Sequence, residues 1–113
     1  MIVITGYNSA TAKDVLNGTR LSSIPYEGEL VFEMLADAVS DAGTNYAQAT
    51  IQLPSGDVPI NNQRIHSARE GIGTLNDDDE TLFSFSAENG GHFFLDFNIN
   101  GTIGVAWRIT LTP

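Results

Sequence analysis

Cysteine is absent from the 113-residue chain, which excludes a disulfide framework, a thiolate nucleophile and thiolate metal ligands. The redox compartment stays open. Basic residues are scarce: five Lys and Arg stand against 14 Asp and Glu, a formal charge of −9. Nucleic-acid affinity rests on cations that neutralise phosphates, so this balance argues against a nucleic-acid partner. It favours solubility and resists non-specific association. Long apolar runs are also missing. None approaches the ~18 residues of a membrane helix, and no basic region leads into a hydrophobic stretch at the N-terminus. Neither a membrane span nor a secretory signal is expected. Histidine is limited to His66 and His92, and the single tryptophan is Trp107.

What is present is period-two patterning, and the last stretch shows it best. Phe93, Leu95, Phe97 and Ile99 alternate with His92, Asp96 and Asn98, broken only by Phe94. Beyond Asn100-Gly101, Ile103, Val105, Trp107, Ile109 and Leu111 alternate with Gly104, Ala106, Arg108 and Thr110. Two alternating runs around a turn signal predict a long β-hairpin. Parity sharpens the expectation, because residues directly opposite in an antiparallel pair share a face. A two-residue Asn100-Gly101 loop would set Phe97 against Gly104. A three-residue loop, Ile99-Asn100-Gly101 with Gly101 left-handed, sets Phe97 against Ile103, Leu95 against Val105 and Phe93 against Trp107. The second keeps one apolar face.

Upstream, the β-branched run Met1-Ile2-Val3-Ile4-Thr5, stopped by Gly6, predicts a first strand or an attached arm. Thr11-Ala12-Lys13-Asp14 resembles a capping box and Gly18 a helix C-terminal cap, which predicts a short helix over 12–17. Residues 29–39 fit two patterns. As a strand they turn Leu30, Phe32, Met34 and Ala36 inward; as a helix they stack Glu29, Glu33, Asp37 and Asp41 as one acidic stripe, a mildly destabilising arrangement. The strand over 29–35 is preferred. Residues 46–53 alternate cleanly, Pro54-Ser55-Gly56-Asp57 is a turn, and residues 58–65 return with Leu53 opposite Val58 and Ile51 opposite Ile60. Pro59 cannot donate to a ladder and places that return strand at an edge. Residues 67–80 read as a long surface loop and 81–86 as a further strand. Together these predict one domain, 1–113: an antiparallel β-sandwich or flattened barrel of six to eight short strands with one short N-terminal helix. Residues 1–27 read as an arm or assembly segment of it.

Residue chemistry names no activity. No Gly-x-Ser-x-Gly turn places Ser67 or Ser84 beside a histidine, so His66 and His92 read as polar surface groups. Asp77-Asp78-Asp79-Glu80 lacks the alternating ligands and central glycine of a calcium loop and reads as a solvated run guarding the strand at Leu82. Gly71 and Gly73 are too closely spaced for a phosphate loop, with no Lys following. Glu29 and Glu33 offer a carboxylate pair for glycoside hydrolysis but fit the wet face of a strand equally. Trp107 and Tyr46 offer a sugar-stacking platform, although Trp107 is in phase with the core positions. Asn17-Gly18-Thr19 and Asn100-Gly101-Thr102 match the glycosylation sequon and read as turns. No catalytic residue, metal ligand or cofactor site is expected.

Several stretches resemble the small β-structured cement or decoration proteins of tailed-phage capsids. These are Thr5-Gly6-Tyr7-Asn8 with its Ala/Thr-rich continuation, Leu53-Pro54-Ser55-Gly56-Asp57-Val58-Pro59, Gly90-Gly91-His92-Phe93, and the Trp107-to-Pro113 ending. The resemblance implies a non-enzymatic virion protein, synthesised in the host cytoplasm and seated on the outer capsid surface. Its implied partners are itself, as a homotrimer, and a major capsid protein, with no nucleic acid and no membrane. A soluble ligand-binding module, for instance for carbohydrate, is the alternative. Phe94, out of phase in its strand, is expected to stand over Gly104 and Ala106 as an apolar patch that something covers. Phe94, Gly104, Ala106 and Tyr7 form the candidate interface.

Overall fold

Trp107 and its alternating neighbours lie at the centre of a sheet, with a strand on either side. The computed structural model describes residues 1–37, 46–64, 81–101 and 103–113. They form nine strands: β1 (Ile2–Asn8), β2 (Ser23–Ile24), β3 (Gly28–Asp37), β4 (Tyr46–Gln52), β5 (Ile60–Arg64), β6 (Thr81–Ala87), β7 (Gly90–His92), β8 (Phe94–Asn100) and β9 (Gly104–Thr112). All pairings are antiparallel, in three sheets ordered β1-β9-β3-β6, β5-β4-β8 and β2-β7. No helix occurs among the described residues. The expected fold is corrected on three counts: nine strands where six to eight were predicted, three sheets, and no N-terminal helix.

The terminal hairpin is also corrected. β8 pairs with β4, and β9 pairs with β1 and β3, so the two strands belong to different sheets. Phe97 has Ala49 as its register partner and Leu95 has Ile51, while Trp107 has Gly6 and Met34. The alternation identified the inward side chains correctly: Phe93, Leu95, Phe97, Ile99, Ile103, Val105, Trp107, Ile109 and Leu111 are all buried. Such a pattern states which face is apolar, not whether the partner lies beside the strand or across the core. Here the two apolar faces meet across it. Phe97 of β8 has its ring centroid 6.3 Å from that of Phe32 on β3 and 6.0 Å from that of Trp107 on β9. Gly101 adopts the expected left-handed conformation at φ 89°, but it turns the chain from one sheet to the other.

Residues 11–15 run along the free edge of β8 and do not coil. Ala12 exchanges two backbone bonds with Phe97, at 3.0 and 2.8 Å, and the Val15 amide donates to the Leu95 carbonyl at 3.0 Å. The Thr11 hydroxyl accepts from the Ile99 amide at 2.9 Å and donates to the Ile99 carbonyl at 3.1 Å. Asp14 donates its amide to Asp96 Oδ1 at 2.8 Å. The groups that would cap a helix are therefore engaged by an edge strand whose backbone needs partners. Successive turns follow, closed by Asn17-to-Asp14 and Thr19-to-Leu16 backbone bonds at 3.1 and 3.0 Å. Gly18 takes φ 84° inside the second, as a turn requires. Leu16 and Leu21 anchor this strap in the core with no exposed surface.

Elsewhere pattern and structure agree in part. β1 runs on past Gly6 to Asn8. The Leu53 amide donates to the Asp57 carbonyl at 2.8 Å where a pairing of Leu53 with Val58 was expected, so the return strand begins at Ile60 and Val58 is exposed. Residues 28–37 are strand, with Leu30, Phe32 and Met34 buried. Ile51 and Ile60 are register partners, and β5, entered through Pro59, is an edge strand. His66, Ser67, the glycines at 71 and 73, the acidic run 77–80 and the side chain of Tyr46 lie outside the described residues.

Candidate assembly surface

The candidate interface residues fall on two layers. Tyr7 lies on β1, and Gly104 and Ala106 lie on the adjacent β9, in the four-stranded sheet. Phe94 lies on β8 in the three-stranded sheet, with Gln52 as its register partner. The expected seat of Phe94 over Gly104 and Ala106 is therefore corrected, because β8 and β9 are not neighbours. The small-residue floor exists, and its occupant is Tyr7. Tyr7 has Ala106 as register partner, and a Cβ on Gly104 would collide with the Tyr7 hydroxyl. Gly104 and Ala106 are buried while Tyr7 keeps 42% of its surface.

Phe94 is 39% exposed. Its ring meets the His92 imidazole edge-on at 4.7 Å. His92 Nε2 lies 2.8 Å from Asp14 Oδ1, and Asp14, at φ 54°, belongs to the strap. The chain thus props one side of Phe94 through a strap carboxylate and an imidazole, and leaves the other side to solvent. The Met1-to-Thr5 run does not reach it, since β1 pairs with β9 in the other sheet. No family model, curated protein or solved structure matches the chain.

The candidate catalytic groups are engaged in structural contacts. Glu33 is buried and takes a bidentate pair from Arg108, Nε to Oε1 at 3.0 Å and Nη2 to Oε2 at 2.7 Å. Glu29 accepts a 2.8 Å bond from Ser84. Trp107 is buried and donates its Nε1 hydrogen to Asn8 Oδ1 at 2.7 Å. Among the described residues no group of three or more His, Cys, Asp or Glu side chains converges as metal ligands would. Two open grooves border the sheet ends. One, of about 620 Å³, is lined by Glu27, Glu29, Glu88 and Pro113; the other, of about 560 Å³, by Leu53, Pro54, Asp57, Glu88 and Asn89.

The sequence reading missed the strap and the Glu33–Arg108 pair. The pair carries a usable signal, since both residues sit at outward positions of their strands. Only the strand order makes β3 and β9 neighbours, and parity alone cannot supply it.

Proposed function

We propose that this chain is a non-enzymatic virion structural protein, a cement or decoration protein that binds and stabilises a major capsid shell as an oligomer. The supporting observation is where its apolar surface lies. Val3, Tyr7 and Phe94 stand exposed on strands of the two larger sheets, while the grooves are rimmed by carboxylates. Apolar side chains on strand faces suit contact with another protein surface, whereas a small-molecule site gathers them in a concavity. The −9 charge suits an outer surface better than one lining a genome. The carbohydrate-module reading gains no such support. Trp107 is in the core, and the exposed aromatics Tyr7 and Phe94 lie on different sheets.

The test is co-sedimentation of purified protein with shells lacking it. Phe94→Ser should reduce shell retention about tenfold while leaving the melting temperature within a few degrees, because the ring is already partly solvated. Unchanged retention of the variant, or failure of the wild type to sediment with shells, would overturn the proposal.

A further inference from the structure

The four edges of the two larger sheets are treated differently. The edge of β8 is covered by the strap, through Ala12 and Val15. β5 is entered through Pro59, carries a register shift opposite Ala49 and Ile51, and holds Asn62 at φ 49°. β6 lies between Glu80 and Glu88 in the sequence. Coverage, proline, irregular backbone and nearby charge are the devices that stop an edge from adding strands. Among the described residues no strand or strap covers the outer edge of β1, and its own sequence holds none of these devices; the charge beside it is that of Arg108 on β9, the register partner of Thr5. Ile2–Asn8 is regular over seven residues and contains no proline and no charged residue. Both faces are incompletely covered: Met1, Val3 and Tyr7 are exposed on one, and Ile2 and Ile4 are only partly buried against the core on the other.

We infer that β1 is a pairing edge for a second copy of this chain, joined antiparallel about a two-fold axis through Thr5. This deepens the assembly reading by naming the partner at one edge. One register pairs all seven residues. It sets Val3 against Tyr7 of the second copy, Thr5 against its own counterpart, and Ile4 against Gly6. The exposed apolar residues of each strand then meet those of the other, while the polar Thr5 pair sits on the axis. Because residues of equal parity meet, the outer faces become continuous, and two four-stranded sheets merge into one of eight strands.

Charge permits a copy of the same chain at this edge. A chain of charge −9 repels itself at most approaches, yet β1 carries no charge. The carboxylates Glu29 and Glu33 stand on β3, two strands inward, about 10 Å away at ordinary strand spacing and beyond a Debye length of about 8 Å. Glu33 is moreover neutralised by Arg108. A seven-residue edge is a small interface, so pairing in dilute solution is weak and is strengthened when many copies are held together on a surface.

Sedimentation equilibrium and amide exchange, both followed up to about 1 mM protein, test this without any shell. Loss of self-pairing and loss of shell binding are therefore separate results. The wild type should show a concentration-dependent dimer with β1 amides that exchange more slowly as concentration rises. Thr5→Glu should weaken the dimer about fivefold, because it places like charges opposite one another, yet preserve the fold, because Thr5 faces Arg108 on β9. Thr5→Lys should weaken it similarly, and an equimolar mixture of the two variants should restore pairing. If Thr5→Lys does not fold, the Thr5→Glu mass and the β1 exchange rates still decide. A monomer or a trimer at all concentrations, a Thr5→Glu dimer as tight as wild type, or a mixture of folded variants no tighter than either alone overturns the inference.

Discussion

Tyr7 lies across Gly104, its hydroxyl standing where a Cβ on that residue would be. The contact closes the outer side of the β1–β9 pair and requires the glycine for space. Gly104→Ala should therefore cost about 1–3 kcal/mol, as an overpacked site does. In a Tyr7→Ala background the same change should cost clearly less. Denaturant unfolding of the four proteins measures the coupling. Additive effects would show that the ring does not set the limit at Gly104.

Trp107 is the anchor of the central strand. It is 4% exposed, bonds Asn8 and meets Phe97 at 6.0 Å. Its indole also occupies the space above Gly6, where a Cβ would collide with it. Trp107→Ala should cost about 3–5 kcal/mol. Trp107→Phe should cost less, while leaving Asn8 Oδ1 without its donor. Unfolding curves followed by circular dichroism separate the three proteins. A loss below about 1 kcal/mol for Trp107→Ala would contradict its placement in the core.

The Glu33–Arg108 pair joins β3 to β9 on the face opposite the core. Removing the cation strands a carboxylate that is 8% exposed. Arg108→Met should therefore cost about 3–5 kcal/mol, reduced toward the lower figure because Arg108 keeps 27% of its side-chain surface. Glu33→Leu combined with Arg108→Met should recover much of that loss, because burying two apolar groups leaves no charge uncompensated. A double-mutant cycle is the measurement. A double variant less stable than Arg108→Met alone would show the pair to be a net stabiliser.

Much of this architecture is legible in alternation. Leu30, Phe32 and Met34, and the inward set from Phe93 to Leu111, are where period-two reading puts them, because burial on one face imposes that period. The Ile51–Ile60 pair is the one parity predicts, although the turn closes through Leu53 and Asp57 and the register shifts between Ala49 and Ile51. Strand order does not follow. Phe97 and Trp107 point inward in either a hairpin, where they share one face, or two opposed sheets, where they meet across the core, and the stretch between them fits both. The helix expected over 12–17 failed for a related reason: Thr11 and Asp14 carry local capping chemistry that a distant edge, Ile99 and Asp96, claims instead. In the candidate interface, parity recognised the Gly104–Ala106 floor but assigned it to Phe94. Naming Tyr7 as its occupant required knowing that β1 lies beside β9.

The strap makes the final prediction. Thr11 stands in for a strand partner at Ile99, accepting from its amide and donating to its carbonyl through one hydroxyl. Thr11→Val keeps the shape and removes both bonds, so it should cost about 1 kcal/mol, toward the low end for two partly solvated bonds. The local readout is sharper than the global one. The Ile99 amide should exchange faster in the variant, whereas core amides should slow or quicken only with overall stability. Ala12→Pro is the stronger form, since it deletes the donor to the Phe97 carbonyl as well. It should bare the β8 edge beside exposed Phe94 and raise light scattering on warming, as an uncovered edge recruits other chains. Unaltered Ile99 exchange in Thr11→Val would mean that the strap merely lies along β8 and does not protect it.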